Sequence, residues 1–99
     1  GNVQIARNDL SEAEKEYKEA IRINPNSAET HNNLGVILKN SNKFEGAEKE
    51  YREAIRINPN YVDAYTNLGN MYYILKEYNK ALQEFEIALS YFLIKPVNM

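Results

Sequence analysis

The chain contains a 14-residue string that occurs twice, at an interval of 34 residues. The string begins at Ala13 and again at Ala47, and the two copies differ only where Lys18 is replaced by Arg52. A diverged third copy covers residues 80–90 at the same interval. A fixed period of this length indicates an array of one supersecondary unit, in which each unit buries its apolar face against its neighbours.

Each full repeat has the side-chain pattern of two helices. In residues 28–40 and in residues 43–57, packing residues recur at steps of three and four, which is the spacing of one helical face. These residues are His31, Leu34, Ile37 and Leu38 in the first segment, and Phe44, Ala47, Tyr51, Ala54 and Ile55 in the second. The sequence therefore predicts one helical hairpin per repeat.

Short polar segments separate the predicted helices. Residues 40–43 (Asn-Ser-Asn-Lys) form the turn inside the hairpin, because asparagine tolerates the left-handed conformation that ends a helix. The second helix ends before Pro59, since proline disfavours helical backbone in the residue that precedes it. The next helix starts within residues 61–64, with Asp63 near the positive end of its dipole.

Two glycines lie in the middle of predicted helices at the same interval. Gly35 and Gly69 each cost about 1 kcal/mol of helix propensity relative to alanine. We expect them, with the alanines of the second helices, to let the two helices of a hairpin approach closely. Tyr17, Tyr51 and Phe85 would fill the space between those helices.

These residues resemble a known family. The Leu-Gly pair, two small residues, an aromatic residue and a proline have the spacing of a tetratricopeptide repeat, at Leu34, Gly35, Ala47, Tyr51, Ala54 and Pro59. The resemblance covers nearly the whole chain and implies an all-α, right-handed superhelical solenoid of antiparallel helix hairpins. His31 and Tyr65 stand where the family has a tryptophan, and both fill that packing position less fully.

The repeat register divides the chain into two and a half units. Residues 1–27 form a partial first unit, because Gly1 aligns with Gly35 and most of the first helix is missing. Residues 28–61 form the second unit and residues 62–99 the third. Leu93 replaces the proline that would end the last helix, so we expect that helix to run about one turn longer.

Both ends of the chain carry apolar residues without a polar cap. The front begins a half hairpin with Val3, Ile5, Ala6 and Leu10, and the tail contains Tyr91, Phe92, Leu93 and Ile94. Either the chain is a fragment of a longer array that covers these residues, or the tail buries them by self-association. The two explanations are compatible, and the second predicts a homo-oligomer held by residues 91–94.

Composition excludes several functional classes. Twelve cations and 14 anions give no positive field for nucleic acid, and no apolar run approaches the ~20 residues that span a bilayer. No cysteine and one histidine leave no metal site, and nothing suggests a cofactor. Acidic and basic residues lie four apart on the second helices, as in Glu14–Lys18 and Glu48–Arg52, which is typical of solvated surface. We therefore expect no enzyme activity, and a cytoplasmic location by default.

What remains is a surface on the first helices, which line the concave face in the family that the chain resembles. Helical phase predicts a peptide-binding groove formed by Asn32, Asn33, Val36, Lys39, Thr66, Asn67, Asn70, Tyr73 and Ile74. Asn33 and Asn67 would stack as rungs and bond an extended backbone, because an amide both donates and accepts. This resembles the asparagine ladder of protein O-linked N-acetylglucosamine transferases, although the same amides could instead bond between neighbouring helices.

The resemblance also offers a second mode of binding, which the sequence disfavours. Chaperone-binding members hold a carboxylate with basic side chains, but Asp63 and Asn67 stand where that clamp has lysine and arginine. The preferred interpretation is a scaffold or adaptor that binds a protein or peptide in its groove. The alternatives are a self-associating structural module, and the repeat arm of a larger enzyme such as a glycosyltransferase.

Overall fold

The computed structural model describes the backbone of residues 2–94 and the side chains of residues 9–93. This part of the chain forms five helices and no strand: α1 (Asn2–Ile23), α2 (Ala28–Asn40), α3 (Phe44–Ile57), α4 (Val62–Ile74) and α5 (Tyr78–Ile94). The predicted all-α fold is confirmed. α2 with α3, and α4 with α5, form the two complete helical hairpins.

The turn inside each hairpin is a three-residue connection with one left-handed residue. Asn42 has a φ of 63° after α2, and Lys76 has a φ of 65° at the equivalent position after α4. The next backbone amide, that of Lys43, donates to the carbonyl of Leu38 across 2.8 Å and so closes the end of α2. Asparagine takes this conformation readily, whereas the lysine in the third unit adopts it with a penalty.

Close contact between a glycine and an aromatic ring sets the spacing of each hairpin. A Cβ atom added at Gly35 would lie 2.6 Å from Cε1 of Tyr51, and one added at Gly69 would lie 2.5 Å from Cε1 of Phe85. Tyr51 has no exposed surface, and this burial raises the pKa of its hydroxyl to about 12. The helices therefore approach more closely than any side chain at the glycine positions would allow.

A polar network joins the second unit to the third. The Arg52 guanidinium donates to Glu84 Oε2 across 2.7 Å and to the Tyr72 hydroxyl across 3.3 Å, and that hydroxyl donates to Glu48. Glu84 is only 5% exposed, so its charge needs this partner. The expected pair of Glu48 with Arg52 along α3 is therefore wrong, because Arg52 reaches across to α5 instead.

His31 and Tyr65 fill the position of the family's tryptophan and also fix the preceding turns. His31 is 6% exposed, with Nδ1 at 2.7 Å from Glu50 Oε1 and Nε2 at 2.8 Å from the carbonyl oxygen of Pro25. In the third unit, the Tyr65 hydroxyl donates to the carbonyl of Pro59 across 3.0 Å. Each unit is thus tied to the loop before it by the same ring position.

The two end helices differ from α3 in length. α1 is one continuous 22-residue helix, without a break at residues 7–9, the equivalent of the turn before α3. The few residues of a first helix that precede this point gain more from continued intrahelical hydrogen bonds than from a hairpin of less than two turns. α5 has 17 residues against 14 in α3 and continues past the position where Pro59 follows α3.

The glycine contact gives a first prediction. Gly35→Ala should lower the free energy of unfolding, because overpacking costs about 1–3 kcal/mol. A distance of only 2.6 Å between the new Cβ and Cε1 of Tyr51 places the cost at the upper end of this range. This loss exceeds the roughly 1 kcal/mol of helix propensity that alanine restores. Gly46→Ala is the matched control, since its Cβ would lie 3.3 Å from a terminal methyl of Leu38. Urea denaturation of both variants measures the difference, and equal stabilities would contradict the argument.

Candidate functional site

The predicted groove residues lie on two neighbouring first helices. Four are on α2, namely Asn32, Asn33, Val36 and Lys39, and five are on α4, namely Thr66, Asn67, Asn70, Tyr73 and Ile74. α2 and α4 contact each other directly. We call the side of α2 and α4 that carries these nine residues the first-helix surface.

An asparagine pair joins the two helices in the middle of this surface. The Asn67 side-chain amide donates to Oδ1 of Asn32 across 3.0 Å, and Asn32 is only 5% exposed. Asn33, the residue expected to pair with Asn67 as a rung, is half-buried one position further along. This hydrogen bond thus links side chains of residues that are 35 apart rather than 34. The Oδ1 atom and the second N–H of the Asn67 side chain take no part in it.

Exposure of the other predicted residues increases toward the end of α4. Val36, Lys39 and Thr66 are half-buried, whereas Asn70 is exposed. Tyr73 and Ile74 are among the most exposed large apolar residues, at 62% and 54%.

The exposed end of α4 is part of an apolar corner that the sequence prediction covered only in part. The rings of Tyr73 and Tyr78 meet edge to face with centroids 5.4 Å apart, and Leu75 is also exposed. We call Tyr73, Ile74, Leu75 and Tyr78 the apolar corner. Comparison at the 34-residue interval could have found it, because the first three of these positions are Lys, Asn and Ser in the second unit.

The opposite end of the first-helix surface is acidic. Glu29 and Asp63 lie in the first turns of α2 and α4, and both side chains are exposed. Tyr61 lies near both of them: burial, followed by the charges of Asp63 and Glu29, raises the pKa of its hydroxyl. We call Glu29, Asp63 and Tyr61 the acidic edge. Tyr61 was not predicted as a site residue.

Comparison with known families agrees with this geometry. A family profile described as TPR repeat matches residues 1–42 and 37–75, and one described as Tetratricopeptide repeat matches residues 62–92. The chain belongs to the tetratricopeptide repeat family. A search of curated proteins finds no match.

Solved structures of other tetratricopeptide proteins are similar in fold. The second TPR of Spaghetti (RPAP3), bound to the HSP90 peptide SRMEEVD, has a TM-score of 0.76 and 27% identity, over 90% of this chain and 82% of that one. The TPR2B domain of yeast Sti1, in a pHsp70 complex, has a TM-score of 0.81 and 28% identity, over 92% and 73%.

MamA gives a third comparison, with a TM-score of 0.84 at 23% identity, which shows likeness of fold alone. The match covers 96% of this chain, and the chain spans 56% of the length of the MamA chain.

The exposed apolar side chains of α5 in this tetratricopeptide chain include residues that were not predicted for self-association. Phe92 and Leu93 are 68% and 58% exposed, whereas Tyr91 is half-buried, with its ring centroid 5.8 Å from that of Tyr65. The side chain of Ile94 lies outside the described residues. Leu82 and Leu89 are also more than half exposed on α5, and the prediction missed them because it considered only the apolar run at the end.

The described residues offer little chemistry elsewhere in this repeat protein. No group of three or more His, Asp or Glu side chains among them could hold a metal ion. None of the helices in the described part combines the length and the apolar character needed to cross a bilayer. An open cleft of about 680 Å³ lies between α1 and α3, lined by Glu14, Lys18, Lys43, Gly46 and other residues, none of which is a predicted site residue.

The asparagine pair gives a second prediction. Asn67→Ala removes the donor to a buried amide oxygen, which should lower the free energy of unfolding by about 1–3 kcal/mol. Asn70→Ala is the matched control on the same helix, and because Asn70 is exposed, its change should stay within about 0.5 kcal/mol. Thermal and urea denaturation measure both. If Asn67→Ala were as stable as Asn70→Ala, the hydrogen bond between Asn67 and Asn32 would make no contribution to the free energy of unfolding.

Proposed function

We propose that this tetratricopeptide chain is a non-catalytic protein-interaction module, a scaffold or adaptor that binds an extended protein segment on its first-helix surface. The observation that carries the proposal is that amide and apolar side chains are at least partly exposed at equivalent positions of the neighbouring helices α2 and α4. Two structural neighbours that are 27% and 28% identical are complexes, one with an HSP90 peptide and one with pHsp70.

The amide groups of this surface suit a peptide backbone. Asn33 and Asn70 make no side-chain hydrogen bond with the described residues, so their donors and acceptors remain available to a ligand. The Asn67 side chain donates one N–H to Asn32, and its amide oxygen takes no part in that hydrogen bond. The glycine contacts and the Arg52 network hold the helices beneath this surface, so the surface is preformed. Binding of a segment therefore costs the chain little conformational entropy.

The chain's own charges argue against the ligand chemistry of the HSP90 peptide. That peptide, SRMEEVD, carries three acidic residues. Here Glu29 and Asp63 are exposed at one edge of the surface, where they would repel such a segment rather than form charge-assisted hydrogen bonds with it. We propose that the partner is a protein segment of different composition.

Removing the free amides tests the groove. Asn33→Ala combined with Asn70→Ala should lower the affinity for the partner at least tenfold. Two amides that would bond the partner's backbone are lost, while the hydrogen bond between Asn67 and Asn32 is kept. Partners captured from a lysate on the immobilised chain and identified by mass spectrometry are then titrated by calorimetry. The control, Phe92→Ser, alters an exposed residue on α5 and should leave the affinity unchanged. Unchanged affinity of the double variant for every partner would contradict groove binding.

A second function, self-association through α5, is favoured by a separate observation. Leu82, Leu89, Phe92 and Leu93 are each more than half exposed, and all lie on one helix. Exposed apolar side chains that recur along one helix commonly mark a protein contact. We propose this contact as the alternative, and the half-buried Tyr91 has only a minor part in it.

Sedimentation over a range of concentrations tests the alternative. Phe92→Ser with Leu93→Ser should convert any dimer to monomer, because the apolar contact area is lost at two of its most exposed positions. Tyr73→Ser is the control, since it removes an exposed aromatic residue from the other side of the third unit. A wild-type chain that stays monomeric at millimolar concentration would exclude self-association.

A further inference from the structure

We propose that the first-helix surface recognises an extended protein segment in which one bulky apolar residue is flanked on both sides by basic residues. This inference rests on the proposed function and adds the chemistry of the ligand. It follows from the order of three zones on the first-helix surface, which are the acidic edge and the central amides of α2 and α4 and the apolar corner at the end of α4.

The three zones follow one another along α4, and α2 shares the acidic edge and the central amides. On α4, Asp63 lies in the first turn, Asn67 in the middle and Tyr73 in the last turn. At a rise of about 1.5 Å per residue, Asp63 lies about 6 Å from Asn67 along the axis, and Tyr73 about 9 Å in the other direction. A segment whose backbone crosses the helices at the amides therefore has acid on one side and apolar surface on the other.

The apolar corner distinguishes the third unit from the second. Tyr73, Ile74 and Tyr78 are 62%, 54% and 55% exposed, so these side chains do not serve the core. The second unit has Lys39 and Asn40 at the positions of Tyr73 and Ile74. Because that unit folds with polar residues there, the apolar residues of the third unit are not needed for the hairpin. They fit one large aromatic or aliphatic side chain of a ligand.

The acidic edge supplies the charge complement. Glu29 and Asp63 occupy equivalent positions on neighbouring helices, and neither forms an ion pair with any residue in the described part of the chain. Tyr61 is half-buried beside them, and the pKa of its hydroxyl is raised first by this burial and then by the negative field of Asp63 and Glu29. A basic side chain of a ligand would relieve this field, whereas an acidic one would add to it.

The geometry of an extended chain connects the two edges. Successive side chains of an extended segment point to opposite sides, so a residue directed at the apolar corner has two neighbours directed at the acidic edge. Those two neighbours are about 7 Å apart, and adjacent packed helices have axes about 8–10 Å apart. Two long basic side chains can therefore reach Glu29 and Asp63 at the same time.

Three matched heptapeptides test the proposal by NMR titration of the full chain at low salt. The first probe is Ser-Gly-Arg-Phe-Arg-Gly-Ser, the second has glutamate in place of both arginines, and the third has serine in place of phenylalanine. The first probe should bind at least tenfold more tightly than either of the others, with shifts concentrated at the amides of α2 and α4. Failure of the first probe to bind at millimolar concentration would overturn the proposal.

Two double variants locate the specificity. Tyr73→Lys with Ile74→Asn installs the residues of the second unit, which the fold accepts there, and should reduce binding of the first probe about tenfold. Glu29→Gln with Asp63→Asn should abolish the preference for arginine over glutamate. Phe92→Ser should change neither result. Circular dichroism confirms that the variants are folded, and a preference for arginine that survives the second double variant would overturn the proposal.

The outcomes separate this inference from the proposed function. If a natural partner depends on Asn33 and Asn70 but is indifferent to the apolar corner and to the acidic edge, groove binding stands and the inferred ligand chemistry is wrong. If the first probe binds and the partner ignores Asn33 and Asn70, the ligand chemistry stands and the role assigned to the amides is wrong.

Discussion

The contact of a glycine with an aromatic ring is the constraint on which the rest of the structure depends. Gly35 meets Tyr51, and Gly69 meets Phe85, at distances that exclude any side chain on the glycine. Each contact fixes how closely the two helices of a hairpin approach. The glycine contacts therefore set how α2 lies against α3 and how α4 lies against α5. The fold accepts the low helix propensity of glycine because the aromatic ring packs against it, completely buried at Tyr51 and half-buried at Phe85.

The polar contacts between elements are added to this frame, and they differ from unit to unit. His31 bonds to Glu50 and to the turn before α2, whereas the Tyr65 hydroxyl bonds to the turn before α4. Glu84, the equivalent of Glu50, therefore takes Arg52 of the preceding helix as its partner. The change from histidine to tyrosine thus moves a buried carboxylate from a contact within one unit to a contact between units.

Much of the fold could be predicted from the sequence because the repeat supplies its own comparison. The bounds of α2 and the turn at Asn42 follow from periodicity and local residue preference, which act over a few residues. The partner of Arg52 could not be predicted, because both Glu48 on its own helix and Glu84 on another lie within reach of a long side chain. An amide bond between neighbouring helices was kept open as an alternative, but its partner could not be identified, because a strict 34-residue interval aligns Asn67 with Asn33 and the hydrogen bond is made to Asn32.

That shift of one residue gives the array a chemical direction. In the described residues this bond runs in one direction, from the donor Asn67 of the third unit to the acceptor Asn32 of the second. The acceptor is Asn32 in the second unit, but its equivalent in the third is the shorter Thr66. Exchanging the order of the two units would set the amide of Asn33 against the hydroxyl of Thr66, so the two units are not interchangeable in sequence.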